Sequence, residues 1–340
     1  MNNTALNEAF DIISKRHAEA IATYEERINK VEKEIPEIVH LNSEIANTSK
    51  NIIIASLTKG IDIKSRIDEI KRANLYAQRK ASELLISHNY SSDYLDIKYY
   101  CPKCSDTGYI DDDYCECVNN LVKQINAENI NKNSFFKQCT FEDFNLNLFS
   151  RSNMHCIKDK NGETFRNISE YEHMKTILQQ CIEYSEIFKS SSPSILMSGP
   201  TGLGKTHLSL SIARRVMEKG YSVIYNSALD LFNCLEREKF SKNYDSQADT
   251  LEGILNVDLL ILDDLGVEVD NKFYKSILYN IINTRYIHSI PTIINTNLSL
   301  NDLNLKYEDR IVSRMFSYQV MEFYGEDIRM KRESNGKPTF

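Results

Sequence analysis

The sequence lacks any apolar run long enough to cross a membrane. A spanning helix needs ~18 or more consecutive apolar residues, and no segment of the 340-residue chain approaches that length. The opening residues, Met-Asn-Asn-Thr-Ala-Leu-Asn-Glu, have neither the basic stretch nor the apolar stretch of a secretory signal. Internal repeats and low-complexity tracts are also missing. These absences predict a cytoplasmic protein without a membrane partner.

An excess of basic residues is missing too. The chain has 41 Lys and Arg residues against 48 Asp and Glu residues, which gives a net charge of -7. This balance argues against a globally basic nucleic-acid-binding protein, although a local basic groove is compatible with it. Hydrophobic residues make up 41% and charged residues 26% of the chain, as in ordinary globular proteins. The length predicts two or three domains.

The N-terminal stretch follows a helical period. Apolar residues recur every three or four positions up to Pro36, which breaks the pattern. A second segment runs to Leu57 and stops near Gly60, and a third stripe begins at Ile63. We predict a helical N-terminal region over residues 1–90. Its apolar stripes either form its own core or dock on a partner protein.

The C-terminal part alternates short apolar runs with helical patterns. The runs are Ile195–Met197, Val223–Tyr225, Leu259–Leu262 and Thr292–Ile294. Buried strands separated by helices are typical of a parallel sheet with helical crossovers. The fold class predicted for this part is therefore α/β.

The strongest motif lies between the first of these runs and the helix that follows it. It reads Gly199-Pro200-Thr201-Gly202-Leu203-Gly204-Lys205-Thr206 and fits the Walker A pattern in full. Glycines let backbone N–H groups converge on phosphates, and the helix N-terminus adds its partial positive charge. Lys205 is expected to reach the β- and γ-phosphates, and the Thr206 hydroxyl to ligate Mg²⁺. These residues predict ATP and Mg²⁺ as cofactors.

Two acidic residues follow the buried run Leu259–Leu262. Asp263 and Asp264 stand at the Walker B position. We expect Asp263 to hold the hydration shell of Mg²⁺ and Asp264 to orient or deprotonate the attacking water. This P-loop with its acidic pair resembles AAA+ ATPases, which usually carry Glu at the second position. Asp264 is therefore a shorter base, which leaves the hydrolysis rate open.

Polar and basic residues further along are candidates for the same reaction. Asn297 is suitably placed to sense the γ-phosphate, with Asn295 as the alternative and turn formation as a third role. Arg310 and Arg314 lie one helical turn apart on one face. From such a face an arginine can reach the γ-phosphate of a neighbouring subunit, and a salt-bridged surface is the alternative. Arg329 follows a short apolar strand and is expected to contact nucleotide in cis.

Four of the eight cysteines fall in one short segment, and the rest are scattered singly. Clustered thiolates in a chain without a secretory signal favour metal over disulfides, and four of them predict a closed, structural Zn²⁺ site. The tight last pair leaves open whether an outside ligand such as His88 replaces one thiolate. Free cysteines and an iron–sulfur cluster are the alternatives. We predict a metal-dependent zinc-binding module over residues 91–122. Its pattern is Cys101-x₂-Cys104-x₁₀-Cys115-x-Cys117.

The order of these features resembles bacterial replicative helicase loaders of the DnaC/DnaI type. The resemblance covers about residues 90–330, and the N-terminal helices only by position. It implies an AAA+ P-loop parallel sheet with flanking helices over residues 151–340, a linker over 123–150, and the zinc-binding module and helical region before them. It rests on Cys-Pro-Lys-Cys-Ser-Asp-Thr-Gly-Tyr-Ile, Gly-Pro-Thr-Gly-Leu-Gly-Lys-Thr, Leu-Leu-Ile-Leu-Asp-Asp-Leu-Gly, Asn-Thr-Asn-Leu-Ser-Leu and Glu-Asp-Arg-Ile-Val-Ser-Arg-Met.

The resemblance also implies partners. It implies binding of the hexameric replicative helicase through the N-terminal region and of single-stranded DNA through the ATPase domain. In an ATP-dependent oligomer, Arg314 would be the arginine finger and Arg329 the second sensor. Asn271 and Phe273 match positions associated with single-strand contact, although surface packing is the alternative.

Two other functions fit parts of the sequence. A transposition helper ATPase shares the ATPase core and acts on duplex DNA, but the cysteine segment and the long helical N-terminus argue against it. A zinc-containing scaffold with a purely structural nucleotide is opposed by the complete set of nucleotide-site residues, although Asp264 in place of Glu keeps it open. We expect a weak ATPase that DNA or a partner protein stimulates.

Overall fold

The computed structural model describes residues 3–57, 63–131, 139–158, 164–240 and 244–329. Within the chain, contacts separate an N-terminal unit, Ala9–Val118, from a C-terminal unit that comprises Asn119–Phe340 together with Met1–Glu8. The predicted domain limits at residues 90, 122 and 150 are finer than this division and stay predictions.

The N-terminal unit is helical up to Ser87. The first helix ends at Glu34, two residues before Pro36, so the predicted long helix and its stop are confirmed. Gly60, which was predicted to end the second segment, lies outside the described residues. The helices are α1 (Asn3–Glu34), α2 (Glu37–Ala46), α3 (Thr48–Leu57) and α4 (Ile63–Ser87), and a hairpin of β1 (Tyr109–Ile110) and β2 (Asp113–Tyr114) follows them.

The end of α1, helix α2 and the C-terminal half of α4 form a core of their own. Ile63 is 43% exposed, so only the C-terminal half of α4 follows the predicted stripe into that core. The end of α3 also keeps apolar side chains in solvent, since Ile53, Ile54 and Leu57 are all exposed. The core residues are Val31, Ile35, Ile38, Leu41, Ala77, Ala81 and Leu85.

The C-terminal unit is built on a five-stranded parallel sheet, which confirms the predicted α/β class and its four predicted strands. In space the strands follow the order β6-β7-β8-β5-β9. A polar side chain covers part of the edge strand β6, because Asn131 donates to the Val223 carbonyl at 2.5 Å and accepts from the Tyr225 N–H at 3.0 Å. The strands are β5 (Ile195–Ser198), β6 (Val223–Ser227), β7 (Leu259–Leu265), β8 (Thr292–Thr296) and β9 (Gln319–Glu322).

Helices cover both faces of the sheet because successive strand residues point to opposite sides. Met197 and Ile261 face one buried cluster with α6 and α7, and Leu196 and Leu262 face another with α8, α10 and α12. None of the helices in the described parts has the length and apolarity that a membrane crossing requires. The helices are α5 (Glu116–Ile130), α6 (Glu170–Ile187), α7 (Lys205–Glu218), α8 (Ala228–Phe240), α9 (Tyr244–Asn256), α10 (Lys272–Ile287), α11 (Leu300–Lys306) and α12 (Asp309–Met315).

Two features that precede β5, the first strand of the five-stranded sheet, were not predicted. An antiparallel hairpin of β3 (Met154–Lys158) and β4 (Thr164–Ser169) precedes α6. The stretch that was predicted as a linker contributes Phe141, Phe144 and Phe149 to the buried cluster on the α7 side of the sheet. This stretch therefore packs against the helix that begins in the Walker A motif.

Candidate functional site

The Walker A residues form the turn between β5 and α7. Gly199, Gly202 and Gly204 adopt φ angles of 139°, 77° and 89°, which residues other than glycine rarely adopt. A Cβ at each position would also overlap a neighbour, namely the Phe323 backbone at Gly199, the Asp327 carboxylate at Gly202 and the Phe144 ring at Gly204. Backbone conformation and packing therefore both require glycine here.

Lys205 is the first residue of α7 and is only 7% exposed. Its Nζ atom donates to the carbonyl oxygens of Gly199 at 2.6 Å and Pro200 at 2.7 Å, both within its own loop. Burial lowers the pKa of Lys205 to about 8, against the raising effect of the Asp264 and Asp263 charges. The ammonium group is thus held over the turn that the motif predicts to bind phosphate.

The Asp263 carboxylate is buried among hydrogen-bond donors from four elements. Its Oδ1 accepts from Thr206 Oγ1 at 3.2 Å, from Asn295 Nδ2 at 2.8 Å and from the Asp264 N–H at 3.1 Å. Its Oδ2 accepts from the Tyr225 hydroxyl at 2.6 Å. The hydroxyl of Thr206 and the carboxylate of Asp263 are hard oxygen donors of the kind that Mg²⁺ binds, so these residues fit the predicted ion.

Asp264 lies in a β-bulge. The register of β7 against β8 shifts between Leu262 and Leu265, and Asp264 has a φ angle of 52°, uncommon for a residue with a side chain. Asp263 is buried, whereas Asp264 is exposed. Partial desolvation and the Asp263 charge raise the pKa of Asp264, against the opposing charges of Lys205 and Arg329. A raised pKa favours proton acceptance by this carboxylate.

The two asparagines near the end of β8 differ in their surroundings. Asn295 is 1% exposed, and its Nδ2 atom donates to Ser209 Oγ at 2.8 Å as well as to Asp263. Asn297, the predicted sensor, is exposed one residue beyond the strand. The carbonyl of the next residue, Leu298, accepts from the Ser198 hydroxyl at 2.8 Å, which brings this segment to the end of β5.

The predicted arginines are held in different ways. Arg314 is half-buried on α12, where its Nε donates to Asn283 Oδ1 at 2.7 Å and its guanidinium lies 5.4 Å from the Tyr279 ring centre. Arg310 is exposed and pairs with Glu308 at 2.6 Å. Arg329 is exposed, and its charge acts on the pKa values of both Lys205 and Asp264. The backbone N–H of the preceding residue, Ile328, donates to the Gly202 carbonyl at 3.2 Å, which places Arg329 beside the Walker A turn.

The two residues proposed to contact DNA lie at the start of α10. Asn271 is its N-cap, with Oδ1 accepting from the Phe273 N–H at 2.9 Å. The Phe273 ring is partly buried, and Lys239 Nζ lies 4.4 Å from its centre. Both residues thus have contacts inside the unit, and DNA contact stays a prediction.

The four clustered cysteines come together in the N-terminal unit. Their Sγ atoms all lie within 4.8 Å of one another, and within the described residues this is the group of possible ligands that could hold a metal ion. His88 is not part of that group and instead contacts the Leu84 carbonyl at 2.9 Å. Four thiolates fit a tetrahedral Zn²⁺ ion. The cysteines are Cys101, Cys104, Cys115 and Cys117.

A buried acid that the sequence analysis missed supports the first pair of cysteines. Asp106 is 4% exposed and accepts from the backbone N–H groups of Tyr100 at 2.8 Å and Cys101 at 2.7 Å. The sequence offered one signal for this role, namely an aspartate shortly after a Cys-x₂-Cys pair. Aspartate side chains in tight turns commonly accept hydrogen bonds from nearby backbone N–H groups.

The chain is similar in sequence to known proteins. The model of the family described as IstB-like ATP binding protein matches residues 129–335. The replicative helicase loader DnaC of Escherichia coli (strain K12) is 29% identical over 146 residues, which are 43% of this chain and 59% of that protein. This chain thus covers less than two thirds of the length of such relatives.

Two solved structures are also similar. A crystal structure of the DnaC helicase loader aligns with a TM-score of 0.41 and 24% identity, over 45% of this chain and 90% of that one. A crystal structure of DnaI aligns with a TM-score of 0.43 and 17% identity, over 56% of this chain and 93% of that one.

Proposed function

The chain belongs to the IstB-like ATP binding protein family, and we propose that it is an ATP-dependent loader of the replicative DNA helicase, acting in the cytoplasm. The observation that carries the nucleotide part of this proposal is the 3.2 Å contact between Thr206 Oγ1 and Asp263 Oδ1. It unites the Walker A hydroxyl and the Walker B carboxylate at one point. The relatives named as helicase loaders support the rest.

ATP binding is assigned to the β5–α7 turn. Lys205 would exchange its bonds to the Gly199 and Pro200 carbonyls for the β- and γ-phosphates, where its charge is better compensated. Thr206 would ligate Mg²⁺ directly, and Asp263 would hold the ion through its water shell. When bound, the ion would neutralise charge that develops on the phosphate oxygens.

Hydrolysis is assigned to the groups around Asp264. Its carboxylate would orient the attacking water and accept a proton from it. Asn297 would sense the γ-phosphate, and Arg329 would contact nucleotide within the same chain. Arg314 would act on the nucleotide of a neighbouring subunit, which requires an ATP-dependent oligomer. Because Asp264 is shorter than the usual glutamate, we expect weak turnover that DNA or the partner stimulates.

The remaining assignments concern partners and domains. We assign helicase binding to residues 1–90, where the exposed Ile53, Ile54 and Leu57 of α3 offer an apolar surface. Structural Zn²⁺ is assigned to residues 91–122, a connecting segment to residues 123–150 and the AAA+ domain to residues 151–340. Contact with single-stranded DNA is assigned to Asn271 and Phe273 at the start of α10.

A pull-down of the purified hexameric helicase tests this proposal. Wild-type protein should capture the helicase, and ATP should change the amount captured. Lys205→Ala should lose ATP affinity and the ATP response while it still captures helicase through residues 1–90. A transposition helper would instead bind duplex DNA and leave the helicase in solution. A scaffold with structural nucleotide would show no response to ATP. Equal ATP affinity in wild type and Lys205→Ala would contradict the P-loop assignment.

A further inference from the structure

Tyr225 makes a hydrogen bond at the nucleotide site that no motif predicts. Its hydroxyl donates to Asp263 Oδ2 at 2.6 Å. The other carboxylate oxygen, Oδ1, accepts from Thr206, Asn295 and a backbone N–H. Tyr225 therefore hydrogen-bonds a different oxygen from those partners. This second contact fixes the rotation of the carboxylate about the Cβ–Cγ bond of Asp263.

The sheet delivers the phenol to this point. Tyr225 pairs with Ile261 across the parallel strands β6 and β7, and Asp263 lies two residues beyond Ile261. Because side chains alternate along a strand, Tyr225, Ile261 and Asp263 point to the same face, and that face carries α7 with Thr206. The side chain of Asn131 anchors the Tyr225 backbone N–H at 3.0 Å. The position of the ring is thus set by the fold.

A short bond from a fixed donor matters at a carboxylate that must face a metal ion. Groups that hydrogen-bond to a metal-binding carboxylate orient it, and their removal typically lowers metal affinity about 10- to 100-fold. Thr206 approaches Asp263 from α7, and Tyr225 approaches it from the neighbouring strand. Because Thr206 and Tyr225 hold the two oxygens of Asp263 from different sides, the carboxylate keeps one orientation toward an ion next to Thr206.

We propose that Tyr225 is a positioning residue that sets the Mg²⁺ affinity of the nucleotide site by holding Asp263 toward Thr206. This inference rests on the proposed nucleotide-binding function. Tyr225 acts through Asp263 and has no chemical role in the reaction. Its removal should therefore change the dependence of ATP binding on Mg²⁺ more than it changes metal-free ATP binding.

Tyr225→Phe tests the inference, because it removes only the hydroxyl and keeps the packed ring. ATP affinity is measured by fluorescence with a labelled ATP analogue, across a Mg²⁺ titration and in excess chelator. We expect the Mg²⁺ concentration for half-maximal tightening to rise about tenfold or more. ATP affinity in chelator and the midpoint of thermal unfolding should stay close to wild type.

Tyr184→Phe is the matched control. The Tyr184 hydroxyl donates to the Pro193 carbonyl at 2.9 Å, at the end of β5 opposite the Walker A turn. Its loss should leave the Mg²⁺ titration unchanged. An unchanged titration in Tyr225→Phe would overturn the inference and leave the proposed function intact. A wild type that binds no ATP at any Mg²⁺ concentration would overturn both.

Discussion

Asn295 donates a hydrogen bond of 2.8 Å to the carboxylate of Asp263, and its second amide hydrogen is used by Ser209 Oγ, also at 2.8 Å. A side-chain amide has two N–H donors. Both donors of Asn295 are thus committed inside a buried site, so Asn295 has none left for a phosphate. The geometry therefore favours a structural role for Asn295 and leaves the exposed Asn297 as the candidate sensor.

Alanine substitutions separate the two roles. Asn295→Ala leaves a buried carboxylate with one donor fewer and should lower the free energy of unfolding by ~1–3 kcal/mol. Asn297→Ala should unfold like wild type and keep its ATP affinity, but lose most stimulated hydrolysis. Urea unfolding and ATPase assays measure these effects. Normal hydrolysis in Asn297→Ala, with weak hydrolysis in a fully folded Asn295→Ala, would reverse the assignment.

The parts of the structure that sequence predicts well are local. The Walker A turn needs glycine at fixed positions, and four strands of the sheet contain short continuous apolar runs, so β5, β6, β7 and β8 could be predicted directly. Contacts between residues distant in sequence could not be predicted. Nothing local links Tyr225 to Asp263 or Asn131 to β6, because the sheet order that joins them is a property of the whole fold.

The left-handed conformation of Asp264 was beyond sequence analysis for a related reason. Aspartate does not demand a positive φ angle, and only the bulge against β8 imposes one here. Likewise, Phe141, Phe144 and Phe149 lie in a stretch without a clear period, and their burial depends on α6 and α7 packing against them.

The lowered pKa of Lys205 predicts a pH effect on stability. Its pKa is about 8 in the folded chain against an ordinary value of 10.5. Between these values the unfolded chain binds more protons, so the folded state gains stability as pH rises and loses it as pH falls toward 8. Lys205→Met removes this dependence. The unfolding free energy of wild type relative to Lys205→Met should therefore rise from pH 8 to pH 10.5.

Urea unfolding of both proteins across this range measures the difference. Lys175→Met, at an exposed position of α6, controls for the general effect of replacing a lysine side chain with methionine. A constant difference between wild type and Lys205→Met would show that the lysine is not titrating in this window.

We expect substitution of Arg285, which lies outside every sequence motif, to have a large effect on stability. It is fully buried, and its guanidinium donates to the carbonyls of Ile254, Val257 and Pro291 at 2.9, 2.9 and 2.5 Å and to Thr292 Oγ1 at 2.9 Å. A lysine ammonium cannot reproduce this planar fork. Because a hydrogen bond to a charged group contributes ~1.5–3 kcal/mol and several are lost, Arg285→Lys should lower the free energy of unfolding by about 3 kcal/mol or more. Chemical unfolding of the variant measures this loss.

Arg214→Lys is the matched control, because Arg214 is a partly exposed partner of Glu218 on α7. It should change stability by less than ~0.5 kcal/mol. Similar losses in both variants would mean that the carbonyl contacts of Arg285 contribute little.

The cysteine cluster predicts the effect of metal removal. Freshly reduced protein should carry about one Zn²⁺ per chain, since one tetrahedral ion uses all four thiolates. Chelation should expose residues near Cys101–Cys117 to protease and leave the sheet of the C-terminal unit intact. Cys104→Ser should lower the zinc content measured by metal analysis, whereas Cys234→Ser, outside the cluster on α8, should not. Equal zinc content in the two variants would rule out the site.

Arg314 provides the sharpest test of a mechanism that acts between subunits. Its guanidinium is pre-positioned by Asn283 Oδ1 and by the Arg310 carbonyl at 2.5 Å. An arginine supplied to a neighbour's nucleotide is worth on the order of 10³–10⁵ in rate in well-studied NTPases, and a weak ATPase should show less. Arg314→Ala should bind ATP normally but lose ATP-dependent assembly and stimulated hydrolysis. Sedimentation and ATPase assays measure the two losses.

Two further experiments complete this test, namely mixing Arg314→Ala with Lys205→Ala and substituting the neighbouring Arg310. Arg314→Ala mixed with Lys205→Ala should recover part of the hydrolysis, because one chain then supplies an intact P-loop and the other an intact arginine. Arg310→Ala should behave almost like wild type, since Arg310 is exposed and pairs with Glu308 within its own chain. If Arg310→Ala loses hydrolysis and Arg314→Ala keeps it, the acting arginine is Arg310. If neither change matters and mixing restores nothing, hydrolysis does not depend on a residue from the neighbouring subunit.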